Sequence, residues 1–421
     1  MWNGFEGEYG NKAVIFLIIF IVNATNSAFA LLEKNSFDLL YSFISIRFIY
    51  PSFLELAYFF GWILIFWILF VIVPGKVEIG PVNNSGKRYH YKLNSLNCMF
   101  ISMFLQIGLS VLGIIPLETL SKYFPNMVVG SIYVGNFLSF LIYLKGKLFP
   151  TFKTLESQGR NEMVEDFYSG IELVPRFSST SVLDLKLFSI GHVGMISWQL
   201  LNMSHAAYGW NRGSVDALVV CILQAIYIFD WAFFERWYLY TVDMQHDRLG
   251  FYLTFGAFSW MPVVYSAYGY YASHIPVNHS NFMLGIVISL YLFGYWMMRT
   301  SNNQKEKFRK DPELLIWGKK PEYMVANYKT TDGVARQNKL LLSGFWGWAR
   351  HFNYIGDFFM IFAISILCGF HSLGAHVYTF QLTGILTTRA VRDDSRCSLK
   401  YGEDWKRYQE RNTYLLIPGV W

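Results

Sequence analysis

The sequence is short of charge. Only 15% of its 421 residues are charged, while 53% are hydrophobic and 19% aromatic. Soluble domains carry about 25% charged residues, so a water-soluble globule is excluded as the main body. Cysteine is scarce as well. Cys98, Cys221, Cys368 and Cys397 show no paired spacing, and three of them sit in or near apolar runs. They read as reduced, small hydrophobes, which excludes a disulfide or cysteine-metal framework. No Gly-x-Gly-x-x-Gly run occurs in a strand–turn–helix context, which excludes a Rossmann domain. The start, MWNGFEGEYGNK, lacks a basic region followed by a short apolar stretch and a small-residue cleavage site. The first apolar run is therefore expected to be a retained helix. No internal repeat is visible, and the lack of an inverted one disfavours a transporter.

What the sequence does have is long apolar blocks. About ten come near the ~20 residues that cross a bilayer, at 13–32, 53–74, 97–117, 126–145, 187–206, 214–234, 251–273, 282–299, 357–373 and 374–390. Strand-type alternation is absent from them, so they should be helices, which satisfy their own backbone groups in lipid. The runs at 13–32 and 187–206 carry Asn, Ser and His and should pack inside a bundle. The expected fold class is all-α: a polytopic membrane protein with about ten transmembrane helices and a C-terminal cofactor-binding block.

The polar connections are informative. PGKVEIGPVNNSGKRYHY reads as a loop from its Gly, Pro and Asn content. The Lys-Pro and Asp-Gly pairs of 300–343 mark turns and a short hairpin. The net charge is +6, and nine Lys/Arg crowd into 300–340, with the tail 387–411 similarly rich. Both segments should face the cytoplasm.

Four constellations could carry chemistry. Arg389, Arg392, Asp393 and Arg396 fall on one face of a C-terminal helix that leaves the apolar run near Leu386. A guanidinium there could hold a phosphate, and Asp393 could be a salt-bridge partner or a proton donor. The plainer reading is an interfacial basic helix. Lys305 and Arg309 are one turn apart just past a membrane span, where they suit a phosphate or lipid headgroups equally. Tyr227, Asp230 and Glu235 lie in an apolar segment and are functional candidates by that placement. Asp243, His246 and Asp247 follow, but no second His completes a metal spacing. Last comes GFWGWARHFNYIGD at 344–357, polar and aromatic at the mouth of a membrane helix. Amides at that helix start attract anions, and Trp348 reads as an interfacial anchor.

These pieces resemble one family. LLLSGFWGWARHFNYIGD, followed by RAVRDDSRCSLKYGEDWKRY, is similar to the sterol C=C reductases. The likeness continues upstream through NNQKEKFRK, QAIYIFDWAFFERWYLYTVDMQHDRLGFYL and GIELVPRF, and covers most of the chain from about residue 165. The resemblance implies one membrane-embedded domain over 1–421, with N-terminal helices in 1–160, sterol-pocket helices in 165–300 and an NADPH-binding part in 300–421. By the same likeness, Lys305 and Arg309 hold the cofactor's adenosine phosphate. Leu341, Trp346 and Asn353 line its site, Arg389 and Tyr401 contact it, and Tyr227 and Asp393 match the proton-donating residues. No metal is implied. LIWGKKP, Phe345, Phe352 and ERWYL point to the branch acting on the Δ7 bond. Departures at Val174, His192–Val193, Thr388, Thr413 and Leu415 bear on the pocket wall and substrate preference.

The resemblance also fits the chemistry. An isolated sterol double bond is electron-rich, so it must take a proton before a hydride. Burial of Asp393 would keep it protonated, unless its arginines hold it ionised. The partners expected are a sterol and the bilayer, with no nucleic acid. The location expected is the endoplasmic reticulum membrane of a eukaryote or the inner membrane of a bacterium. Alternatives are Δ14 or side-chain Δ24-type reduction, a non-catalytic sterol-binding protein, and an isoprenylcysteine-type methyltransferase.

Overall fold

The computed structural model describes residues 51–83, 87–152, 162–330, 333–370 and 373–420. The expected span at 13–32 lies outside them. The described residues form two compact units. One runs to Pro81 and resumes over Arg88–Pro276; the other is built mainly from Val277 onward.

In the N-terminal unit, α1 (Phe53–Ile72) starts at a capping box: the Ser52 hydroxyl accepts from the Glu55 amide, and the Glu55 carboxylate accepts from the Ser52 amide. Helices α2 (Ser95–Val111) and α3 (Phe124–Leu148) follow. A π-helical stretch, Phe188–Met195, then runs without a break into α4 (Ile196–Trp210). Next come α5 (Val215–Phe233) and α6 (Met261–His274), the latter preceded by a second π-helical stretch, Gly256–Trp260. The segment at 187–206 packs inside as its polar residues predict: His192, Asn202, Ser204 and His205 are fully buried. His192 is hydrogen-bonded to Asn94, with Nε2 and Oδ1 2.8 Å apart. By contrast, Leu54, Leu64 and Ile72 of α1 point outward, which suits a lipid-facing surface.

The C-terminal unit centres on α7 (Asn281–Lys310) and α8 (Asn353–Leu367). They cross at glycine. A Cβ on Gly356 would stand 2.5 Å from the Gly294 carbonyl, and one on Gly294 would stand 2.7 Å from the Gly356 carbonyl. Small residues allow this backbone approach between membrane helices. Helices α9 (Val377–Tyr401) and α10 (Glu403–Arg411) complete the unit. Its core gathers Met297, Phe308, Leu341, Phe345, Trp346 and Phe352.

One expectation needs correction. The fold is mostly helical but not all-α, because it holds two antiparallel two-stranded sheets. In the first, β1 (Lys76–Ile79) pairs with β2 (His90–Leu93) inside a stretch read as loop. Four alternating residues are too few to stand out beside that much Gly, Pro and Asn. In the second, β3 (Tyr323–Lys329) pairs with β4 (Ala335–Leu341), which is the hairpin expected from the turn residues. Separately, the expected count of about ten spans is not shown. Among the described residues four helices, α1, α3, α5 and α7, are long and apolar enough to cross a bilayer, with α2 and α8 apolar but shorter. The run at 374–390 lies in the first half of α9, whose second half is strongly charged. All four cysteines are buried and none is in a disulfide, which fits their reading as small hydrophobes.

Candidate functional site

The charged end of α7 and the charged end of α9 belong to the same unit. Helix α7 leaves its apolar stretch as NNQKEKFRK, which places Lys305 and Arg309 on successive turns of one face. The Lys305 ammonium lies 3.7 Å from the centre of the Trp346 ring. Trp346 is held in place: its indole N–H donates to the Ser301 carbonyl at 2.7 Å, and its own carbonyl accepts from Asn412 at 2.6 Å. The Phe345 amide donates to Gln304 at 2.9 Å. The GFWGW segment is thereby bound to the exit of α7.

Helix α9 supplies the facing charges. Lys305 and Arg309 lie within electrostatic reach of Asp393 and Arg396. One Asp393 oxygen accepts from Arg396 at 2.5 Å, and the other lies 3.9 Å from His351 Nε2. Partial burial pushes the Asp393 carboxyl up, but Arg396, His351 and Lys305 together outweigh it and hold it below the usual carboxylate range. The arginine branch of the expectation therefore holds: Asp393 is ionised near neutral pH, and burial does not keep it protonated. Burial lowers His351 to about 4, with Lys305 and Arg350 adding to the effect and Asp393 opposing it. Burial also lifts the Cys397 thiol to about 12, leaving it protonated and unreactive.

Tyr401, Leu341, Asn353 and Arg389 fall in the same unit. The Tyr401 hydroxyl accepts from Asn338 at 2.7 Å, and the ring stacks on Trp405. Leu341 is buried in the core beneath Trp346, and its carbonyl accepts from the Tyr408 hydroxyl at 3.0 Å. Asn353 opens α8 with its side-chain oxygen buried and without a hydrogen-bond partner. Arg389 sits one turn before Asp393 and within electrostatic reach of Asp357. Tyr227 belongs to the N-terminal unit, on α5, with its ring 6.0 Å from that of Trp198.

Sequence reasoning left three residues unexplained. The Arg350 guanidinium donates to the Asn412 carbonyl at 2.6 Å and the Thr413 carbonyl at 2.9 Å, and its Nε lies 3.0 Å from Asp394. The amides of Arg350 and His351 donate to the Tyr414 and Leu415 carbonyls. The Arg-His pair thus anchors the C-terminal segment. Glu235 accepts from both the amide and the hydroxyl of Ser95, at 3.0 and 2.5 Å, capping α2. Buried Lys186 donates to the Asp243, Met244 and Asp247 carbonyls, which gives that polar stretch a packing role. The partners lie far off in sequence, so local pattern carried no signal for any of the three.

The set fits a polyanionic ligand. Lys305 and Lys400 each lie within electrostatic reach of Arg309 and Arg396, so four basic groups gather there. Arg309 and Lys400 are exposed, and Asp393 is about a quarter exposed, so the face they share is reachable from outside. The unpartnered Asn353 oxygen adds an acceptor for a hydroxyl or amide.

Comparison with known proteins gives the family. The "Ergosterol biosynthesis ERG4/ERG24 family" matches residues 9–421. The 7-dehydrocholesterol reductase of Danio rerio is 34% identical over 360 residues, covering 82% of this chain and 73% of the relative. That of Xenopus laevis is 35% identical over 364 residues, covering 84% and 76%. The Delta(14)-sterol reductase of Dictyostelium discoideum is 33% identical over 390 residues, covering 90% and 81%. With a family match along almost its whole length, and relatives of two specificities at similar identity, this chain belongs to the ERG4/ERG24 family of sterol reductases, membrane enzymes of sterol biosynthesis.

Proposed function

We propose that this enzyme reduces the Δ7 double bond of a sterol with NADPH, by protonation of the alkene followed by hydride delivery. The observation that carries the cofactor reading is the cluster of Lys305, Arg309 and Arg396 around Trp346 and Asp393. Two adjacent cations on α7 suit the adenosine phosphate, which separates NADPH from NADH. Arg389 and Tyr401 extend the same face, Asn353 offers its unpartnered oxygen, and Leu341 and Trp346 form an apolar floor. When bound there, NADPH supplies the hydride.

The chain's own residues must supply the proton. Asp393 and Tyr227 are the assigned donors. Because Asp393 is ionised in the free protein, it must gain a proton before it can give one. The Δ7 preference rests on LIWGKKP, ERWYL, Phe345 and Phe352, together with relatives named 7-dehydrocholesterol reductase. Phe345 and Phe352 stack with ring centres 5.1 Å apart in the core around Trp346. The basic segments put the cofactor face toward the cytoplasm. The membrane is that of the endoplasmic reticulum in a eukaryote and the inner membrane in a bacterium.

Expression in yeast strains lacking single sterol reductases, with sterol profiling by mass spectrometry, tests the reading. Loss of a supplied Δ7 sterol and gain of its reduced product is the expected result. Reduction of a Δ14 sterol alone would move the assignment to that bond. No reduction of any sterol, with the protein present in membranes, would overturn it.

A further inference from the structure

Resting on the NADPH reading, we propose that His351 and Asp393 form a proton-storing pair that takes up a proton when the anionic cofactor binds. His351 acts through Asp393 and is a positioning residue.

The geometry is specific. His351 Nε2 faces one Asp393 oxygen at 3.9 Å while Arg396 occupies the other. The imidazole stacks on Tyr354 with ring centres 5.3 Å apart, and the His351 amide is tied to the Leu415 carbonyl at 2.9 Å. The ring is therefore fixed by packing as well as by charge. Its side chain is 10% exposed and that of Asp393 26% exposed.

The charges around the pair are almost all positive. From α9 comes Arg396, one turn after Asp393, with Lys400 beyond; Arg389, one turn before, has Asp357 of α8 within its reach. From α7 come Arg309 and Lys305; burial, with Arg309 adding to it, lowers the Lys305 ammonium to about 7, so it too can gain a proton when phosphates bind. From the segment before α8 comes Arg350, already neutralised by Asp394. Cys397 is an uncharged thiol. This surplus favours an ionised Asp393 and a neutral His351 in the free protein, as burial also does for the imidazole. A phosphate monoester alone carries about two negative charges near neutral pH. Phosphates held by Lys305 and Arg309 cancel the surplus that kept protons away. The balance then reverses, and a proton held between the imidazole and the carboxylate becomes favourable.

The stoichiometry closes. Reduction of one C=C bond consumes one hydride and one proton: sterol alkene + NADPH + H⁺ gives reduced sterol + NADP⁺. The pair takes its proton from solvent as the cofactor binds. It passes that proton to the alkene while the π electrons form the new C–H bond. The hydride completes the other carbon. The pair then returns to an ionised carboxylate and a neutral imidazole.

Linkage fixes the sign. A group with a higher pKa in the bound state is protonated on binding, so affinity falls as pH rises between the free and bound values. NADPH Kd should therefore rise by up to tenfold per pH unit above about 4, the free His351 value. The test is calorimetric titration of the purified, detergent-solubilised protein with NADPH at pH 7.5. It is repeated in phosphate, HEPES and Tris, whose ionisation enthalpies differ. At that pH the adenosine phosphate, with a pKa of about 6, is almost fully ionised beforehand. The expected slope of heat against buffer enthalpy shows net uptake approaching one proton per NADPH. His351→Gln should bind NADPH with up to one proton less taken up than the wild-type protein, Lys305 keeping its own share. Binding by the wild-type protein with zero slope would overturn the pair and leave the cofactor reading intact. An unchanged slope in His351→Gln would overturn the role of His351. Absence of NADPH binding in every buffer would overturn both readings.

Discussion

The Lys305 ammonium sits 3.7 Å from the centre of the Trp346 ring, and Trp346 is in turn fastened to Ser301, one turn earlier on the same helix. An ammonium over an indole face is stabilised by the ring quadrupole. The arrangement holds a cation at the exit of a membrane helix with its side chain already directed. That is preorganisation for an anion, and it ties the GFWGW motif to the α7 basic pair.

Removing either cation should weaken NADPH selectively. Lys305→Ala and Arg309→Ala each lose charged hydrogen bonds worth about 1.5–3 kcal/mol, or roughly 10–100-fold in Kd. The measurement is NADPH and NADH affinity side by side. A selective loss of NADPH is expected. An equal loss of both would place these residues away from the adenosine phosphate.

Asp393→Asn and Tyr227→Phe should each lower kcat for sterol reduction by about 10²–10⁴-fold, the usual contribution of a positioned acid. For Tyr227→Phe, NADPH affinity should stay unchanged, because its hydroxyl is assigned to the sterol's proton and not to a cofactor contact. Full turnover in both variants would remove them from proton delivery.

Much of this site was readable in the sequence. The α7 pair and the arginine face of α9 follow from helical spacing alone, and the β3–β4 hairpin follows from its turn residues. What spacing could not show is contact. Arg350 looks like another anion ligand beside His351, yet it donates to the Asn412 and Thr413 carbonyls and is ion-paired with Asp394. Gly356 reads as a spacer in NYIGD until Gly294 is seen against it. The protonation of Asp393 was equally hidden, since it depends on cations brought in by α7.

Arg350 should therefore prove to be a stability residue. Its side chain is 9% exposed, and removing one partner of a largely buried ion pair costs about 3–5 kcal/mol. Arg350→Met should lower the melting temperature markedly in a thermal-shift assay. Arg350→Lys should rescue it poorly, because one ammonium cannot reproduce the forked contacts to two carbonyls and Asp394. An unchanged melting temperature in both variants would contradict this role.

Gly356→Ala should loosen the contact of α7 with α8. The added methyl would fall 2.5 Å from the Gly294 carbonyl and 2.6 Å from the Met298 amide. Both are backbone atoms, so the helices must move apart, and overpacking of this kind costs about 1–3 kcal/mol. Reduced thermal stability with impaired NADPH binding is expected. Wild-type values for both would show that the two helices have room to spare.

The cap at Glu235 gives a pH signature. Burial lifts this carboxyl to about 7, against the two hydrogen bonds from Ser95 that lower it. Its folded pKa lies above that of an unfolded Glu, about 4.3, so the folded state holds more protons between those values. Stability should then decline as pH rises from about 4.3 to about 7 and level off above. Glu235→Gln, still able to accept from Ser95, should flatten that decline. The midpoint of unfolding, followed from pH 5 to pH 8 in both proteins, reads the difference directly.

The central claim is hydride and proton addition across a sterol double bond. It is tested most directly by incubating the purified protein with 7-dehydrocholesterol and NADPH carrying deuterium at the transferable position, then analysing the sterol by mass spectrometry. The account predicts a reduced sterol with one deuterium from the cofactor, and a second deuterium when the reaction is run in D₂O. A reduced sterol without cofactor deuterium, or recovery of the substrate unchanged, would contradict it.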